Sequence, residues 1–214
     1  APLLTIDVET ERLWPSLAQL TVLLGKYWLV NPLSLKRAVE RARSAGDAYQ
    51  TLLLQGVDAP QAIAAPDQDC ELAPAPLTVA VVGHPYNLYD DYATHRLLAR
   101  LRAMDVRVRT SDSVHPAGRW AGVEELGQIP YWTFEDEIVG ASGSLLHQAV
   151  DGLISVSAFG CAPDSVMLSV LTEAAHRANR PYMPLILDEH SGQAGLITRL
   201  EAFVDMLFRR KEKK

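Results

Sequence analysis

The sequence predicts an α/β protein: a small doubly wound parallel sheet of about four strands, flavodoxin- or Rossmann-like, with a helical N-terminal extension. Three observations predict it. "LTVAVVG" (77–83) is a continuous β-branched run closed by glycine, as in a strand buried on both faces. From there to the C-terminus strand-like and helix-like segments alternate four times, which favours right-handed crossovers and a parallel sheet covered by helices. Before residue 60 the apolar spacing is helical instead.

In the N-terminal part, "LAQLTVLLG" precedes "SLKRAVERARSAGDAYQTLLLQG", where Leu35, Ala38, Val39, Ala42, Ala45, Ala48, Tyr49, Leu52 and Leu53 recur every three or four residues. Asn31-Pro32 and Gly56 are natural boundaries for that second helix. Residues 61–76, with Pro66, Pro74 and Pro76, read as a proline-rich linker between a 1–60 helical extension and a 77–214 α/β domain. After the first strand, "DYATHRLLARLRAMD" reads as helix and "VRVRTSD" (106–112) as a more exposed second strand. The spacing then predicts a helix over 130–150, a third strand over 152–160, a helix over 163–179 opened by Pro163, a fourth strand over 182–189 and a closing helix over 195–210.

Bulk properties narrow the function. Apolar residues are 48% and charged residues 21%, a globular composition. The net charge of -6 argues against nucleic-acid binding, because neutralising phosphates needs a basic face and the terminal "RRKEKK" reads as a solvated helix end. No apolar run approaches the roughly 20 residues that span a bilayer, and the N-terminus lacks the basic-then-apolar pattern of a secretory signal, so a cytoplasmic, membrane-free chain is expected. Cys70 and Cys161 are the only cysteines, without the paired spacing of a zinc site or a redox dithiol. The first residue is alanine, which fits either methionine removal or a fragment of a longer chain.

In a doubly wound sheet ligands bind beyond the carboxyl ends of the strands. The loops there read "GHPYNLYDD", "TSDSVHPAG", "SAFGCAPDS" and "LDEHSGQAG", and they concentrate His84, Tyr86, Asn87, Asp90, Asp112, Cys161, Asp164, Ser165, Asp188, Glu189 and His190. Neither a Gly-x-Gly-x-x-Gly fingerprint nor a phosphate loop follows the first strand. Asn87, Asp90, Asp164 and Ser165 are binding candidates or, equally, turn and helix-capping residues. Asp188, Glu189 and His190 crowd two carboxylates and an imidazole, which a cation, a donor or a ligand would offset. Arg199 and Glu201 either pair with that loop or form a solvated salt bridge. Cys161, just before a helix, is open to three readings: buried filler, metal ligand, or nucleophile with His190 as one possible base.

"VVGHPYNLYDD", "PYWTFEDEI", "SAFGCAPDS" and above all "LILDEHSGQAGLITRLEAFVDML" resemble, in order, the acyl-CoA dehydratase activase-related proteins, a domain of unknown function related to the 2-hydroxyacyl-CoA dehydratase subunits. The resemblance spans essentially this whole chain but only the C-terminal portion of the family's usual length. It implies an iron–sulfur protein acting on, or alongside, acyl-CoA chemistry, with an ATP-dependent activator as a partner. Cys161 matches the family's C-terminal cysteine motif and so looks like a ligand of a [4Fe-4S] cluster, completed by a missing N-terminal half of the same protein. No complete cluster, and no activity of the isolated chain, is then expected. The family usually has glycine where this chain has Ala162, and Cys70 matches no family position. A noncatalytic flavodoxin-like ligand-binding or protein-interaction module is the alternative.

Overall fold

A computed structural model describes residues 13–27, 31–66, 74–126, 133–148 and 150–213, which divide between residues 50 and 51 into two compact units. In the first, α1 (Leu13–Tyr27) is followed by α2 (Pro32–Gln55), whose last turn belongs to the second unit. The start of α2 is fixed chemically. Asn31 Oδ1 accepts from the Ser34 N–H at 2.8 Å, and Pro32, which has no N–H to satisfy, takes the first helical position. Its end is equally defined: Gly56 turns into left-handed space (φ 93°), its N–H donates to Leu53 O, and the Val57 N–H donates to Leu52 O. Leu52 and Val57 are both buried there, completing a Schellman cap.

The second unit is built on four parallel strands, β1 (Leu77–Gly83), β2 (Val106–Thr110), β3 (Gly152–Ala158) and β4 (Tyr182–Leu187), in the order β2-β1-β3-β4. The chain is thus an α/β protein with an N-terminal helical region. β1 pairs on both sides, Val79 with Val108 and with Gly152, and six of its seven residues are buried. Alternation sends Leu77, Val79 and Val81 to one face, where α5 (Leu97–Ala103) and α9 (Gln193–Glu212) cover them. Ala80, Val82 and Leu153 face the other layer, formed with α7 (Thr133–His147) and α8 (Ala162–Arg177). The first strand therefore has the boundaries its sequence predicts, and both of its faces are core.

Other boundaries shift for local reasons. The helix expected from residue 91 begins only at Leu97, because His95 (φ 48°) and Arg96 (φ 61°) adopt left-handed backbone that an α-helix cannot contain. Three strands end early, at Thr110, Ala158 and Leu187, because a 3₁₀ turn over Ser111–Ser113 and turn residues after β3 and β4 take over the hydrogen bonding. Two short helices, α3 (Ala59–Ala64) and α4 (Pro85–Leu88), occupy proline-marked stretches, and Asp58 before α3 meets Arg102 of α5 at 2.7 Å. At the edge strand β4, Pro184 brings no N–H and Arg199 donates to the Pro184 carbonyl at 2.8 Å, which blunts the edge.

A further helix, α6 (Pro116–Leu126), has no counterpart in the sequence reading, because glycine and alanine leave little apolar periodicity. Those small residues are its packing device. A Cβ on Gly122 would collide with the Gly140 carbonyl oxygen, and one on Gly140 with the Arg119 carbonyl oxygen, so α6 and α7 cross in direct backbone contact. Gly140→Ala should therefore destabilise the fold by ~1–3 kcal/mol, the usual cost of overpacking. Gly46→Ala, in α2 with open space around the site, should stabilise it by ~0.5–1 kcal/mol through helix propensity. Thermal unfolding followed by circular dichroism should thus move in opposite directions for the two variants.

Candidate functional site

The strand order creates one switch point. From β1 the chain crosses to β2 on one side, while β3, on the other side of β1, leads on to β4, so the connections diverge between the carboxyl ends of β1 and β3. There Gly83 pairs with Val156 at a distance that leaves no room for a side chain, since a Cβ on Gly83 would meet the Val156 carbonyl oxygen. His84 follows at once, extended (φ -62°, ψ 144°) and 5% exposed, before Pro85 starts α4. The close strand pairing and the proline together fix where its imidazole points.

That ring meets the first turns of two helices. Nε2 lies 2.9 Å from Asp164 Oδ1 and 3.7 Å from Glu135 Oε1. Asp164 is the third residue of α8 and is 1% exposed; Glu135 is in the first turn of α7 and is 6% exposed. Helix N-termini stabilise negative charge, which offsets part of the cost of burying two carboxylates side by side. Among the described residues Asp164 Oδ2 has no nitrogen or oxygen donor, and the buried Asn87 Nδ2 and Ser157 Oγ have no hydrogen-bond partner. The exposed Tyr86 stacks on the imidazole with centroids 5.0 Å apart.

Cys161 is the half-exposed residue that caps α8, and its sulfur lies within 4.8 Å of ligating atoms of both His84 and Asp164. Its backbone is extended (φ -75°, ψ 108°), Ala162 already belongs to α8, and the positive φ of this turn sits at Gly160 (81°). Alanine at position 162 is thus accommodated without strain. Desolvation pushes the thiol above its ordinary pKa, the Asp164 N–H pulls it back, and the Asp164 carboxylate, through its charge and a hydrogen bond from the thiol, and then the Glu135 carboxylate push it up further. The Tyr86 phenol is raised by desolvation first and then by Asp164, Cys161 and Glu135. These surroundings disfavour a free thiolate.

The residues singled out from the sequence divide between this crevice and local structure. Asn87 is buried in α4, and Cys161 and Asp164 converge with His84, whereas Ser165 is exposed and donates its hydroxyl to the Cys161 carbonyl at 2.9 Å. Asp90 Oδ1 accepts from the Tyr92 and Ala93 N–H groups, both at 2.9 Å, as a turn cap does. Asp188 also closes a turn, accepting from the Ser191 hydroxyl and the His190 N–H, and the Ser191 bond is the main reason its pKa lies below the usual carboxylate value. Glu189 and His190 are exposed and only loosely apposed at 3.8 Å, Arg199 caps the sheet edge, and Glu201 is exposed on α9. Asp112 accepts from the Tyr89 hydroxyl at 2.6 Å. Cys70 lies outside the described residues.

Glu135 is the member that reading the strand-end loops missed, because it comes from a helix start. "WTFEDEI" carried the available signal, acidic residues where a helix begins.

The family match joins this geometry to known sequence. The domain described as "CoA enzyme activase uncharacterised domain (DUF2229)" matches residues 1–114. The chain belongs to this family. The matched stretch carries His84, Tyr86 and Asn87 of the crevice, while Glu135, Cys161 and Asp164 follow it in the chain. No curated protein matches the sequence. Among the described residues no helix is long and apolar enough to cross a membrane.

The electrostatics of this family member's crevice are testable through its thiol. In a Cys70→Ser background, the pH midpoint for iodoacetamide alkylation of Cys161 should lie above that of an unperturbed cysteine. Asp164→Asn and Glu135→Gln should each lower the midpoint, because each removes a negative charge that disfavours thiolate. A midpoint insensitive to both would contradict the described proximity.

Proposed function

We propose that this chain is the α/β domain of a 2-hydroxyacyl-CoA dehydratase-like, activase-related iron–sulfur protein, and that the β1–β3 crevice is its contribution to a cluster or acyl-CoA site. The observation that carries the reading is Cys161: a half-exposed thiol on a helix N-terminus at the switch point, beside two buried carboxylates. Family membership supports the CoA-related context. The cytoplasm is the proposed compartment, in keeping with two cysteines in 214 residues.

The donor set fits one corner of a [4Fe-4S] cluster. Cys161 offers a sulfur that solvent or another polypeptide can reach, but such clusters typically need three or four thiolates and the chain has one other cysteine, Cys70. The remaining ligands would come from sequence outside this chain, in the same protein or a partner, and an ATP-dependent activator would serve as electron donor. When bound, the cluster would supply one-electron chemistry toward an acyl-CoA thioester. This chain's own part is to present the Cys161 sulfur, to keep His84 and Asp164 hydrogen-bonded beneath it, and to offer the exposed Tyr86, Phe159 and Val166 to a covering segment.

Anaerobic reconstitution with iron and sulfide tests this in a version extended at its N-terminus by the natural upstream sequence. The expected result is cluster charge-transfer absorbance that Cys161→Ser markedly reduces; absorbance unaffected by that substitution would remove Cys161 as a ligand. Thermal-shift titration with CoA thioesters addresses the acyl-CoA half of the proposal. Stabilisation by a protein partner without any response to thioesters would favour a noncatalytic interaction module.

A further inference from the structure

We propose that His84, Cys161 and Asp164 form a binding site for a single divalent transition-metal ion of the zinc or ferrous class. The site lies wholly within this chain. It shares Cys161 with the cluster reading but needs neither inorganic sulfide nor any residue from elsewhere.

The donors are one imidazole nitrogen, one sulfur and one carboxylate oxygen, mutually within 4.8 Å. Around a tetrahedral ion with bonds of about 2.0–2.3 Å, donor atoms sit ~3.3–3.8 Å apart, so the three need only modest adjustment. Cys161, half-exposed at the N-cap, can supply that movement, while His84 and Asp164 are anchored by β1 and α8. Binding would open the 2.9 Å contact between Nε2 and Asp164 Oδ1 and place the cation between them. Glu135 Oε1, 3.7 Å from Nε2, stands ready as a fourth ligand or as a hydrogen-bond acceptor for a metal-bound water. A mixed nitrogen, sulfur and oxygen set suits zinc or ferrous iron, whereas magnesium and calcium take oxygen ligands.

A buried His–Asp hydrogen bond alone accounts for less of what is seen. It explains Oδ1 of Asp164 but leaves Oδ2, in a carboxylate that is 1% exposed, without a nitrogen or oxygen donor among the described residues. It also gives no reason for a second buried carboxylate and a thiol to converge on the same imidazole. Buried charges are normally paired or coordinate metals, and a divalent cation would satisfy both carboxylates and the sulfur together.

Anaerobic titration of the 214-residue Cys70→Ser chain with Co²⁺, followed optically, decides the matter. One equivalent should bind and give a thiolate-to-cobalt charge-transfer band. Cys161→Ser should abolish the band, and His84→Gln and Asp164→Asn should each weaken binding more than tenfold, with circular dichroism verifying the fold. Zn²⁺ should displace the cobalt and protect Cys161 from alkylation, a readout needing no substitution at a buried position. Affinity should rise with pH, because binding releases the thiol proton. The inference falls if no stoichiometric charge-transfer band appears and Zn²⁺ gives no protection, or if the three folded variants bind Co²⁺ like the parent. Cobalt binding without cluster formation in the extended protein would remove the cluster reading alone; cluster formation without cobalt binding would remove this one.

Discussion

The parallel pairing of β1 with β3, Val79–Gly83 against Gly152–Val156, is the contact on which both the sheet and the crevice depend. It joins β2 on one side to β4 on the other, and it places His84 beside the turn that carries Cys161. Its lower end is clamped by Asp151, which accepts the Thr78 N–H at 2.8 Å while its own N–H donates to the Thr78 carbonyl. Its upper end depends on Gly83, where backbone approaches backbone with no space for a methyl group. Between those ends Val79, Val81 and Val82 are wholly buried, each worth ~1.5–3 kcal/mol of apolar burial. A strand held this firmly makes a rigid platform for the loop that follows it.

The crevice runs against the economy of the rest of the domain. An imidazole and two carboxylates lie almost entirely out of water, and among the described residues Asp164 Oδ2 has no nitrogen or oxygen donor while Asn87 Nδ2 and Ser157 Oγ make no hydrogen bond. Desolvation of this kind costs ~1–3 kcal/mol for each unsatisfied polar group and more for charged ones. The α7 and α8 N-termini and the His84–Asp164 bond return part of it. A site that remains under-satisfied inside an otherwise regular fold is where binding a cation or another polypeptide gains most, because the ligand supplies the missing partners.

Much of the architecture was readable in residue patterns. "LTVAVVG" gave the central strand to the residue, and Asn31-Pro32 and Gly56 marked the limits of α2 through capping chemistry that depends on neighbours in sequence. The opposite held for α6, whose glycines look like loop until α7 is laid against them. The left-handed pair His95-Arg96 broke a helix that apolar spacing extended through it. "LDEHSGQAG", the most chemically crowded stretch on paper, folds into a local turn in which Asp188 serves its own backbone and the Ser191 hydroxyl.

By itself the sequence determined the alternation of strands and helices and the position of the carboxyl-end loops, because periodicity and capping are properties of contiguous residues. Only the tertiary structure decided which loop residues share a site. His84, Glu135 and Asp164 are separated by 51 and 29 positions, and they meet because parallel pairing brings β1 beside β3 while α7 and α8 start over the same strand ends. No local pattern records that meeting: in a parallel sheet neighbouring strands are joined by long crossovers, so proximity at their ends follows from packing rather than from separation along the chain.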